Sequence, residues 1–162
     1  SSVTGVQTCA LPISITYKSW SISALLDWRN GGYTSTMTKN LFDEGGQSFD
    51  FNDPSPVAGT KLGDYRYGIF SKSDIRPYVE DGTYVKLREV TITYDAPRKY
   101  AELFKARDLR LSFSGRNLAM WSKYWSFDPE FNNFGNQNFN RFIDLAPYPA
   151  MRQFFLSIDL GY

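Results

Sequence analysis

The last ten residues constrain this chain more than any other stretch. Phe154, Leu156, Ile158, Leu160 and Tyr162 fall on one face of a strand. Gln153, Ser157, Asp159 and Gly161 fall on the other, with Phe155 the one apolar exception. Side chains alternate across a strand, so a period of two sorts them into an apolar and a polar side. The ends of soluble domains tend to fray, whereas this alternation runs on to an aromatic last residue. A strand with lipid on one side and water on the other needs this pattern, apolar outward and polar inward, with an aromatic at the interface.

The bulk numbers narrow the class. A net charge of +1 gives no field that points to nucleic acid. Aromatic residues make up 17% of the chain, which suits strands better than helices. Mean hydropathy is −0.40, and no apolar run approaches the ~20 residues of a spanning helix. That excludes a helical membrane protein only, because barrel strands of about ten alternating residues leave the average low. Cys9 is the single cysteine, so no internal disulfide forms, and there is no histidine to serve as base or metal ligand.

The chain begins at Ser1 without a basic leader and reads as a piece of something larger. Residues 1–13 (SSVTGVQTCALPI) do not fit the pattern of the other residues and resemble translated sequencing-adaptor read-through. They are expected to be non-native, with 14–162 the native part, the alternative being an ordinary strand and turn of the parent protein, and Cys9 carries no functional weight.

From Ser14 the pattern is strands joined by unequal loops. Ile15 to Tyr17 ends one strand, Lys18-Ser19 turns, and Trp20, Ile22, Ala24, Leu26 and Trp28 share a face of the next. A Trp at each end matches an aromatic girdle at each membrane interface. Gly31-Gly32 ends that strand, and Thr34 to Gly82 reads as long and irregular. In Tyr84 to Tyr94, Val90, Ile92 and Tyr94 alternate in one phase and Val85 and Leu87 in the other, which predicts a bulge near Arg88. Pro97 to Ala106 can form one or two helical turns. Leu109, Leu111 and Phe113 open a strand running toward Trp121, Ser122 to Pro149 is a second long loop, and Ala150 to Tyr162 is the final strand. Long, short, long is the loop pattern of a barrel with extracellular loops and periplasmic turns. It places Pro97–Ala106 in the periplasm. The rival is a soluble β-sandwich, in which strands alternate because one face is buried. Face-to-face packing of the Trp20–Trp28 and Phe154–Leu160 apolar sets distinguishes that rival from a barrel.

Five phrases now stand in order: Ser19 to Gly32 (SWSISALLDWRNGG), Asp81 to Pro97 (DGTYVKLREVTITYDAP), Leu109 to Leu118 (LRLSFSGRNL), Asp128-Pro129-Glu130, and Tyr148-Pro149 before the final strand. Together they resemble the carboxyl-terminal end of the SusC/RagA family of TonB-linked outer-membrane proteins of Bacteroidetes. The resemblance spans nearly everything from Ile15 onward. It implies an all-β fold, the last few antiparallel strands of a large transmembrane barrel with long extracellular loops, located in the outer membrane. It implies nutrient uptake of glycans or peptides, not enzymatic activity, and no cofactor. The implied partners are a SusD-like surface lipoprotein, TonB through an amino-terminal part outside this chain, the barrel-assembly machinery and membrane lipid. Phe154, Leu156, Ile158, Leu160 and Tyr162 would carry the terminal-strand assembly signal.

Trp121 to Tyr148 is the richest chemical stretch. Trp121, Tyr124, Trp125 and Phe127 offer aromatic faces, and Asn132 and Asn136 offer amides, a set suited to sugar rings or to a lipoprotein partner. Packing of the loop on itself is the plainer reading. Asp128 and Glu130 form a tempting acid pair for a glycosidase, but only their spacing supports catalysis, so they are expected to shape the loop. Asp43, Glu44, Asp50, Asp53 and Asp64 match no calcium-loop spacing. Asp27, Arg110 and Arg116 are expected on the polar, lumenal face, paired between strands.

Overall fold

The computed structural model describes residues 7–130, 143–148 and 150–162. It divides into two compact units. One holds Gln7–Arg29, Tyr84–Ser122 and Ala150–Tyr162; the other is formed by the described residues of Asn30–Thr83 and Lys123–Pro149.

The first unit is a five-stranded antiparallel sheet. Its strands are β1 (Gln7–Tyr17), β2 (Trp20–Asn30), β5 (Tyr84–Ala96), β6 (Asp108–Ser122) and β8 (Gln153–Gly161), in that spatial order. β1 runs without a break from Gln7 across residue 13. The final strand stops at Gly161, leaving Tyr162 exposed just beyond it.

Register sorts the side chains into two faces. Trp20, Tyr94, Leu111 and Ile158 form one apolar row, and Ile22, Ile92, Phe113 and Leu156 form the next. Ala24, Val90, Gly115 and Phe154 continue the face. A β-carbon on Gly115 would lie 2.8 Å from Leu118 and 3.2 Å from the Phe154 ring, so the glycine makes room for Phe154 to stack on Phe113. The expected bulge is present. Pairing skips Arg88 between Leu87 and Glu89. The extra residue brings Leu87 and Val85 into phase with Val90 and Ile92, so the apolar face continues to a last row of Trp28, Val85 and Trp121.

Among the described residues this face is largely exposed. Ile158 is 61% and Leu156 73% exposed, and the Trp20–Trp28 and Phe154–Leu160 sets lie side by side on one sheet rather than packing face to face. That excludes the sandwich. Trp28 lies eight positions beyond Trp20, about 26 Å along a strand and about 20 Å across a bilayer at a typical barrel tilt. Trp20 packs on Tyr94 at 4.6 Å between ring centroids, closing one end of the band with aromatics as Trp28 and Trp121 close the other.

Short turns join strands at the Trp20 end: Lys18-Ser19, with Lys18 at a positive φ, and the segment holding helix α3 (Arg98–Glu102). The longer connections leave from strand ends at the Trp28 row.

The second unit corrects the reading of Thr34 to Gly82 as irregular. It contains β3 (Tyr33–Thr36), α1 (Met37–Glu44), α2 (Leu62–Phe70), a 3-10 turn at Arg76–Tyr78 and β4 (Val79–Asp81). β3 pairs with β4 and, in parallel, with β7 (Ile143–Asp144). The helices escape an apolar-periodicity search because the residues they bury are largely polar: Thr38, Lys39, Asn40 and Asp43 in α1, and Gly63 and Arg66 in α2.

Candidate functional site

The polar face of the sheet is laced by ion pairs between neighbouring strands. Arg110 meets Asp95 at 2.6 Å and Arg116 meets Glu89 at 3.1 Å. The bulge residue Arg88 donates to Asp27, at 2.9 Å from Nε. Thr93 and Ser112 hydroxyls lie 3.4 Å apart on the same face. Asp27, Arg110 and Arg116 thus lie where a barrel lumen places its charges, each with an opposite charge on the adjoining strand.

The second unit is held by buried polar groups. Arg66 is almost fully buried and grips two carboxylates. Its Nε and Nη2 reach Asp43 at 2.7 Å each, and Nη1 and Nη2 reach Asp50 at 2.8 and 2.9 Å. Asp43 also accepts from Ser48 and, at 3.0 Å, from the Tyr78 hydroxyl. Burial opposes ionisation of Asp50, but the Arg66 guanidinium outweighs it and holds this carboxyl below its usual range. Burial likewise opposes the charge on Arg66, yet the two carboxylates raise its pKa. Burial pushes the Tyr78 phenol up, with Asp43 adding to it. A parallel arrangement ties the two connections together. Asp144 accepts from Thr38 and from the Tyr124 hydroxyl at 2.7 Å, and burial pushes that phenol up as well.

Beside this network lies an aromatic cleft of about 290 Å³, whose walls include Phe42, Gln47, Phe49, Trp125, Ser126 and Phe127. Phe49 is 81% exposed and stacks on Trp125 at 5.5 Å, while Phe42 meets the same indole edge-on at 5.9 Å. Lys39 lies 5.3 Å from the Trp125 ring centroid and pairs with Glu80 at 2.8 Å, and Glu80 accepts the Trp125 backbone N–H. Trp125 is therefore fixed from several sides. Among the described residues its Nε1 and the Ser126 Oγ meet no hydrogen-bond partner.

Of the aromatics singled out in the sequence, Trp125 and Phe127 line this cleft, whereas Phe42, Phe49 and the Lys39–Glu80 pair carry no mark in the sequence. No local signal marks them, since they reach the cleft from a connection distant in sequence. Trp121 stands apart, in β6 on the apolar face. Tyr124 is buried in its bond to Asp144. Asn132 and Asn136 lie outside the described residues. Asp128 is buried and accepts the Glu130 backbone N–H at 2.9 Å, a contact that shapes a turn. Of the five loop acids, Asp43 and Asp50 converge on Arg66. Among the described residues no group of three or more His, Cys, Asp or Glu is placed to hold a metal.

An apolar band with aromatic rims, an ion-paired polar face and longer connections at one end define a class: the wall of a transmembrane β-barrel. Comparison with known proteins sharpens this. No family model matches the chain. Two TonB-dependent receptors of Formosa agariphila align with it, one 34% identical over 89 residues and the other 28% over 88. Each alignment takes in 52% of this chain and 9% of the receptor. Among solved structures, the RagAB peptide transporter superposes with a TM-score of 0.68 at 18% identity, covering 94% of this chain and 17% of the other. The RagAB peptide importer in its open-open state gives 0.61 at 15% identity over 96% of this chain. The chain is thus similar in sequence to TonB-dependent receptors over about half of its length and shares the fold of part of the RagAB barrel. It spans about a tenth of the length of the curated relatives it matches.

Proposed function

We propose that the intact protein is a TonB-dependent importer of oligomeric nutrients, to which these residues contribute lumenal wall and extracellular loops. The observation that carries this is the division of one sheet into an exposed apolar band and an ion-paired polar face, joined to sequence similarity with TonB-dependent receptors. Energy would come from TonB acting on a segment amino-terminal to these residues, and the barrel-assembly machinery would read the final strand, Phe154 to Tyr162. A SusD-like lipoprotein would dock on the extracellular loops. The cleft at Phe49 and Trp125 fits either an oligomeric substrate, glycan or peptide, or that lipoprotein.

A strain lacking the receptor gene, complemented with the intact gene or with Phe49→Ala/Trp125→Ala, tests this reading. Restoration of labelled oligosaccharide or oligopeptide uptake by the intact gene alone supports import through the cleft residues. Loss of lipoprotein co-purification in the double variant assigns the cleft to the partner, and retention assigns it to substrate. No uptake defect in the gene-deleted strain for either substrate class contradicts the proposal. Residues 1–13 are read as adaptor-derived, and genomic DNA that encodes them in frame would overturn that.

A further inference from the structure

The turn between β5 and β6 does more than join two strands. Its helix α3 folds onto the apolar face. Ala101 and Ala106 are buried against Leu109, with Ala96 and Leu111 packed around them, and Ala96, Leu109 and Leu111 all belong to the apolar rows. The short helix therefore lies on the side of the sheet that the barrel turns toward lipid, at the end marked by Trp20 and Tyr94. The large apolar side chains of the helix and of the turn that follows it are exposed: Leu103 is 77%, Phe104 59% and Tyr100 51% exposed. Arg98, Lys99, Lys105 and Arg107 are exposed beside them, and with Glu102 the segment 97–107 carries a net charge of +3. Among the described residues, Arg98 spends part of its charge on Glu102 at 3.4 Å and Arg107 on Asp108 at 2.8 Å.

A periplasmic turn in water has no use for three large exposed apolar groups. A turn lying in the membrane interface does, because apolar side chains enter the acyl boundary while basic ones reach headgroup phosphates. We infer that α3 and its flanks form an interfacial anchor, seating Tyr100, Leu103 and Phe104 in the periplasmic leaflet and binding anionic phospholipid headgroups through Arg98, Lys99 and Lys105. The lipid-facing rows of the sheet run directly into this patch, which makes the leaflet its occupant. The inference rests on the barrel reading of the sheet and adds a lipid-binding element to it.

The test uses the intact receptor in bilayers of phosphatidylethanolamine and phosphatidylglycerol, with folding of every variant checked by heat-modifiable gel mobility. An environment-sensitive fluorophore is placed by Leu103→Cys in a cysteine-free background. Quenching by a shallow doxyl-labelled lipid and protection from aqueous iodide are expected. Full iodide quenching, or shielding from both quenchers by a protein contact, overturns the anchor. The charge is tested with Arg98→Gln/Lys99→Gln/Lys105→Gln by counting phosphatidylglycerol retained in native mass spectra. Each basic residue removed is expected to lower occupancy roughly fivefold, and retention equal to the unmodified receptor overturns headgroup binding. Because the fluorophore reports on this turn alone, a folded barrel with a water-exposed probe defeats the anchor and leaves the barrel reading standing.

Discussion

In the five-stranded sheet the large apolar side chains are exposed and the charged ones pair on the opposite face. In the unit built from the connections, charged and hydroxyl groups are buried and large aromatics such as Phe49 reach the surface. The sheet is organised for a solvent in which apolar surface needs no shelter, so its specificity lies in backbone pairing and in which face meets lipid. The connection unit has little buried apolar surface of its own. It fixes its shape through directional contacts, chiefly Arg66 with Asp43 and Asp50, and Asp144 with Thr38 and Tyr124. Such networks cost more to break than they contribute when whole.

Arg66→Met should produce the largest effect, because it strands two carboxylates on a guanidinium-sized hole. A loss of about 3–5 kcal/mol is expected, confined to the connection unit. Hydrogen exchange of the intact receptor in bilayers should show peptides within 37–80 losing protection while β5, β6 and β8 keep theirs. Equal loss in both regions would erase the contrast.

The sheet has the converse sensitivity. Ile92 lies in the middle of the apolar band, and Ile92→Lys should cost about 2–4 kcal/mol in denaturant unfolding of the reconstituted barrel. The neighbouring Thr93→Lys, on the polar face, should cost far less. Similar costs at both positions would mean the two faces do not meet different solvents.

Gly63 probes close packing inside the connection unit. A β-carbon there would lie 2.0 Å from a Phe51 ring carbon, so Gly63→Ala should cost about 1–3 kcal/mol through displacement of Phe51. An unchanged exchange pattern would show that this contact is loose.

Acid and base should open the connection unit before the sheet. Asp50 titrates below its ordinary value of 3.8, so its contribution is present above that pH and disappears as pH falls through the lowered value. Tyr78 and Tyr124 titrate above their ordinary 10.0, so their contribution is intact below pH 10.0 and is lost as pH rises beyond it. Exchange protection at 37–80, corrected for intrinsic rates, should therefore hold across the middle range and fall at both ends.

The same contrast explains what the sequence disclosed. Alternation at Trp20–Trp28 and Phe154–Leu160 is local, so the strands, their faces and the Arg88 bulge could be read directly. The sites of Arg110 and Arg116 followed from phase alone, since an ion pair needs only the adjoining strand. The connection unit depends on pairs such as Lys39 with Glu80 and Thr38 with Asp144, more than forty and a hundred residues apart. Nothing in the spacing of those residues announces the partner. Trp125 was visible as one aromatic among many, but its cleft was not, because Phe42 and Phe49 come from a stretch whose helices bury polar side chains and so show no apolar stripe.

One face of the sheet is expected to meet lipid. A nitroxide scan from Gln153 to Leu160 in the intact, bilayer-embedded receptor tests it most directly, by accessibility to oxygen against a water-soluble nickel chelate. The expected result is a period of two, with oxygen accessibility peaking at Phe154, Leu156, Ile158 and Leu160 and nickel accessibility at Gln153, Ser157 and Asp159. Peaks in the opposite phase, or no alternation, would contradict it.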